Sequence, residues 1–93
     1  MSMIKRKHYT FYGDVQGVGF RYRARKAAEK LGVTGWVRNE YVGSVTMEVQ
    51  GTDRQIDQVL AGIRAGRYVR IRKIDVRDVP LVEGDTEFRL RRW

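Results

Sequence analysis

Gly13-Asp14-Val15-Gln16-Gly17-Val18-Gly19-Phe20-Arg21 joins an alternating, aromatic-rich segment to an amphipathic one through glycines and closes on an arginine. These residue types at this spacing suit anion binding. Glycines let the backbone approach a ligand closely and turn successive N–H groups inward. A helix starting just beyond them adds unpaired N–H groups and the positive end of its dipole. Arg21, at the start of that helix, offers a planar fork of donors that binds phosphate oxygens in pairs, each charged hydrogen bond contributing roughly 1.5 to 3 kcal/mol net. Phosphate is the guest this combination predicts. Alone, the same glycines would equally make a tight connection that binds nothing, and Arg21 would be one of 19 Lys and Arg residues on a solvated surface.

The elements that must hold this loop are readable from periodicity. From Lys7 to Gly13, Tyr9 and Phe11 fall on one face of a strand and His8, Thr10 and Tyr12 on the other. Phe20, Ala24, Ala27, Ala28 and Leu31 recur at helical spacing, and Gly32 is placed to end that helix. Val33 to Arg38 and the alternating Ser44 to Gln50 predict two strands turning near Val42-Gly43. Thr52-Asp53-Arg54-Gln55 fits a capping box, followed by the stripe Ile56, Val59, Leu60 and Ile63, with Gly66 as the expected stop. Ile71 to Val79 and Glu87 to Arg91 read as further strands. Two amphipathic helices and one sheet pack most economically with both helices on one face. The expected fold is therefore a ferredoxin-like α+β sandwich, βαββαβ, with an antiparallel sheet, strands one and three at its centre, and a single domain over residues 1–93.

Composition narrows the chemistry. The chain has no cysteine and one histidine, His8, so disulfides, thiol nucleophiles and multi-histidine zinc sites are excluded. The basic N-terminus lacks the apolar stretch of a signal peptide, and no long apolar run occurs; a cytoplasmic protein without membrane attachment is expected. A formal charge of +8 favours a negative partner without separating a phosphorylated metabolite from nucleic acid. Trp36 is expected in the core and His8 as an ordinary strand residue. Arg70, Arg72, Lys73, Arg89, Arg91 and Arg92 are expected on a solvated outer sheet face.

The Gly13 to Arg21 segment resembles the first signature of the acylphosphatase family. Gly35-Trp36-Val37-Arg38-Asn39, with Gly43-Ser44-Val45 and Gly51 after it, is similar to the second. The resemblance is tight from about Tyr9 to Gly51. It implies the ferredoxin-like fold and hydrolysis of small acyl phosphates to carboxylate and inorganic phosphate, with no metal and no cofactor. By the same resemblance Arg21 would bind the phosphoryl group with backbone N–H groups of Gln16, Gly17, Val18, Gly19 and Phe20, and Asn39 would hold the attacking water; a monomer is expected. The chemistry is self-consistent: phosphoryl transfer is served by positioned cationic and N–H donors, and an acyl phosphate already has a good leaving group. The stretch Gly66 to Ile71 departs from the family pattern in lacking a proline-bearing turn.

The rival reading is a basic nucleic-acid-binding module without enzymatic activity, since RNA-recognition domains share this element order. Those domains stack bases on third-strand aromatics, whereas the third strand here, Ser44 to Gln50, has none, so nucleic acid is not the expected partner. Gly17-Val18-Gly19 is only part of a dinucleotide fingerprint, with Tyr22 at the third glycine position, and no Gly-Lys-Ser/Thr triplet occurs.

Overall fold

The computed structural model describes residues 3–92. The chain runs β1 (Ile4–Asp14), α1 (Phe20–Leu31), β2 (Thr34–Asn39), β3 (Val45–Thr52), α2 (Asp53–Arg64), β4 (Arg70–Val79) and β5 (Phe88–Arg91). One five-stranded sheet is ordered β4-β1-β3-β2-β5, so β1 and β3 are central neighbours as expected. The sheet is antiparallel except at one edge, where β5 runs parallel to β2. The strand expected over Glu87 to Arg91 is thus present as β5, and it extends the βαββαβ order by one element.

Alternation sorts the sheet into two faces. Tyr9, Phe11, Val37, Val45, Met47 and Val49 point toward the helices and are buried with Phe20, Ala24, Ala28, Ile56, Val59 and Ile63. Phe11 and Phe20 lie 4.9 Å apart, centroid to centroid, which locks the start of α1 over β1. Each buried ring contributes roughly 1.5 to 3 kcal/mol, and the ring pair about 0.5 to 1.5 kcal/mol more. The ends of the intervening glycine loop are thereby fixed. Gly32 stops α1 in the left-handed region, φ 75°. The Thr52–Gln55 capping box starts α2 with both reciprocal hydrogen bonds, 2.9 and 3.1 Å. α2 ends just before Gly66, as expected, with its last cap, Ala65, in right-handed geometry. A side chain at position 66 would meet Val69 and Arg23 at 2.8 and 2.9 Å, so space explains this glycine.

Trp36 corrects another expectation. Val37 is the residue of β2 that enters the core, whereas Trp36 stands half-buried on the helix-free face between the guanidinium groups of Arg38 and Arg91, 5.1 and 4.9 Å from its ring. The segment linking β4 to β5 must pass from one sheet edge to the other, and it crosses this same face. Gln50 pairs with the Val82 backbone there, and Arg6, only 4% exposed, donates to Glu48 (2.8 Å), Gln50 (3.2 Å) and Asp85 (3.0 Å). The outer sheet face is thus partly covered and internally paired.

Candidate functional site

The loop from Val15 to Gly19 is strung between two buried anchors, Val15 and Phe20. Between them Gly17 and Gly19 take φ values of 71° and 81°. This is the left-handed region, where a β-carbon costs roughly 1 to 2 kcal/mol. Gly19 is also the N-cap of α1 and has no side chain to satisfy the first-turn N–H groups. The first backbone bond after the loop is Arg23 N–H donating to Gly19 O, 3.0 Å. Among the described residues, no N–H from Gln16 to Phe20 donates within the loop hydrogen bonds. A run of unoccupied donors at a helix N-terminus is an anion-binding arrangement.

The Gln16 side chain has a separate task that its residue type alone did not signal. Its Nε2 donates to Glu40 O (2.7 Å) and Ser44 O (2.9 Å), pinning the glycine loop to the turn between β2 and β3. Asn39 is the last residue of β2, immediately before that turn, paired in register with Val45. The clamp therefore sets the distance between the loop and the strand end that carries Asn39. Val18 lies partly buried against the core.

Arg21 is the second residue of α1 and half-buried. It lines a cavity of about 200 Å³ together with Gly17, Gly19, Phe20, Tyr22 and Asn39. Arg21 and Asn39, expected to act together, do meet at one cavity. A neighbouring hollow of about 370 Å³ is lined by the same two residues with Arg91 and Arg92. Those two arginines were expected only as outer-face charges. Their signal in the sequence was the arginine-rich C-terminal segment, but its place beside β2 depends on a parallel pairing that periodicity does not reveal.

The electrostatics leave the cradle positive. No acidic residue occupies the first turn of α1, and among the described residues no carboxylate pairs with Arg21. The nearest acidic residue in sequence to Asn39 is Glu40, and it is engaged elsewhere. Its carboxylate accepts from Arg38 Nε (2.9 Å) and from the Thr46 hydroxyl on the outer face. Desolvation pushes the Glu40 carboxyl up, but the bonds from Thr46 and Arg38 outweigh it and hold the group below its ordinary range. His8 Nδ1 lies 2.7 Å from Glu48 Oε2, within the Arg6 cluster and away from the cavity. Among the described residues no three His, Asp or Glu side chains gather as a metal site.

Comparison with known proteins gives a consistent result. A family model described as acylphosphatase matches residues 7–90. The chain is 41% identical over 83 residues to the acylphosphatase of Pediococcus pentosaceus, covering 87% of this chain and 92% of that one. The crystal structure of acylphosphatase from Bacillus subtilis superposes with a TM-score of 0.83 at 28% identity, covering 96% of this chain and 99% of the other. An acylphosphatase structure from Coxiella burnetii gives 0.81 at 32% identity, covering 95% and 93%.

Proposed function

This chain belongs to the acylphosphatase family, and from that premise we propose that it hydrolyses the carboxyl–phosphate bond of small acyl phosphates, with Arg21 as phosphate anchor and Asn39 as holder of the attacking water. The observation that supports these roles is the single cavity lined by Arg21, Asn39 and the glycine loop, with no carboxylate paired to the arginine among the described residues.

The phosphoryl oxygens accept from the Arg21 guanidinium and from N–H groups between Gln16 and Phe20. These donors stand in place before reaction, so they stabilise the charge spread over the equatorial oxygens without reorganising. The Asn39 carboxamide accepts a hydrogen bond from water and aims its lone pair at phosphorus. The new P–O bond forms as the P–O(acyl) bond breaks, and the bonding electrons leave with the carboxylate. The water proton passes to a phosphoryl oxygen, so no side-chain base is needed. The mechanism uses no metal ion.

We propose a cytoplasmic location, in line with a cysteine-free sequence and with the absence, among the described residues, of a helix long and apolar enough to cross a membrane. Both exposed sheet edges carry charged residues, Arg72, Lys73 and Arg77 on β4 and Arg89 and Arg91 on β5, which opposes edge-to-edge pairing and supports a monomer. The test is hydrolysis of benzoyl phosphate in excess chelator. Turnover that persists supports the reading, and turnover that requires added divalent metal contradicts it.

A further inference from the structure

The phosphate cavity shares lining residues with two further hollows. Arg21 and Asn39 also line the hollow at Arg91 and Arg92. Gly19 and Tyr22 also line a groove of about 620 Å³ along α1. Asn39 lines the first and not the second. Attacking and leaving oxygens stand in line across phosphorus. With water held at Asn39, the acyl oxygen departs from the opposite side, toward Gly19 and Tyr22.

The groove is built for something apolar. Its lining residues Gly19, Tyr22, Arg23, Lys26, Ala27 and Lys30 recur every three or four positions and form one face of α1. Val18 and Ala27 supply apolar surface, and Gly62 of α2 closes the opposite side without a side chain. A β-carbon at position 62 would come within 3.1 Å of the Ala27 methyl and fill space between the helices. Tyr22 is 55% exposed, an aromatic ring that no core contact requires. Lys26 Nζ lies 3.1 Å from its hydroxyl and 5.4 Å from its ring centroid, which holds the ring along the groove. The long stems of Arg23, Lys26 and Lys30 add methylene surface while their charged ends stay in water.

Resting on the hydrolase reading above, we propose that this groove receives the acyl group, and that the preferred substrates are acyl phosphates with extended apolar acyl chains rather than acetyl. Tyr22 is the specificity-determining residue. A fully buried methylene is worth roughly fourfold in affinity, and an open groove about half of that free energy, so kcat/KM should rise about twofold per added methylene.

The experiment measures kcat/KM for acetyl, butanoyl, hexanoyl and octanoyl phosphate. The expected result is a rising series. Tyr22→Ser should flatten the rise, and Tyr22→Phe should keep it, a pattern that loss of fold would not produce. A flat series, or an unchanged slope in Tyr22→Ser, overturns the groove assignment while leaving hydrolysis intact. Absence of turnover on every substrate overturns the hydrolase reading and the groove assignment with it.

Discussion

Replacing Arg21 by Gln separates a binding role from a structural one. Arg21 is half-buried at the first turn of α1 and has no ion pair among the described residues, so its removal leaves none of their carboxylates stranded. The formal charge falls by one, from +8 to +7, which eases self-repulsion. A substitution of this kind changes stability by no more than about 0.5 kcal/mol, or roughly 2 to 4 °C in Tm for a domain of this size. The transition state, by contrast, loses a preorganised charged donor, which costs on the order of 10²- to 10³-fold in rate. The variant should therefore melt with the parent and yet hydrolyse benzoyl phosphate at least ~10²-fold more slowly. Calorimetry and a continuous hydrolysis assay on the same preparation check both halves. Parent-like turnover, or a rate loss accompanied by a large drop in Tm, would refute the reasoning.

Other substitutions probe the remaining parts. Asn39→Ala should lower kcat by on the order of 10²-fold while inhibition by inorganic phosphate stays near the parent value, since the amide acts on water and not on the anion; steady-state kinetics with phosphate as inhibitor decide this. Arg6→Gln removes the cation shared by Glu48 and Asp85, and breaking a buried pair in this way costs about 3 to 5 kcal/mol, seen as a Tm drop of at least about 12 °C. Glu48 is pushed up by desolvation but held below its ordinary range by the bonds from His8 and Arg6. A carboxyl depressed in the folded state contributes stability above the ordinary value near ~4.3 and loses it as pH falls through the folded value. Urea midpoints should therefore decline below about pH 4.3, with a shallower decline in Glu48→Gln.

Elements whose side chains follow one strong period were legible from the residues alone. The alternation of Tyr9 and Phe11, the Phe20 to Leu31 stripe and the Thr52 capping box each report a local requirement that the fold then satisfies. Arg21 and Asn39 were paired by the resemblance of their two segments to the acylphosphatase signatures, since periodicity alone gives each the end of an element and not the distance between them. Trp36 was misplaced because β2 is short and both of its faces are occupied. Its outer face is apolar only where Arg38 and Arg91 flank the indole, and Arg91 arrives through the parallel pairing with β5. Arg6 reads as one basic residue among several, and its burial depends on the Pro80–Glu87 crossing, a long-range event without periodicity. The Gln16 clamp was hidden for a related reason, since its acceptors are backbone carbonyls at Glu40 and Ser44, which any sequence would provide.

The central claim is that the amides between Gln16 and Phe20, together with Arg21, form the anion site. Titration of the ¹⁵N-labelled protein with inorganic phosphate, read by amide chemical shifts, tests it directly. The account predicts saturable shifts concentrated on Gln16 to Tyr22 and Asn39 that are lost in Arg21→Gln. Shifts centred instead on the separate basic hollow at Arg64, Arg70 and Arg72, with the glycine loop silent, would contradict it.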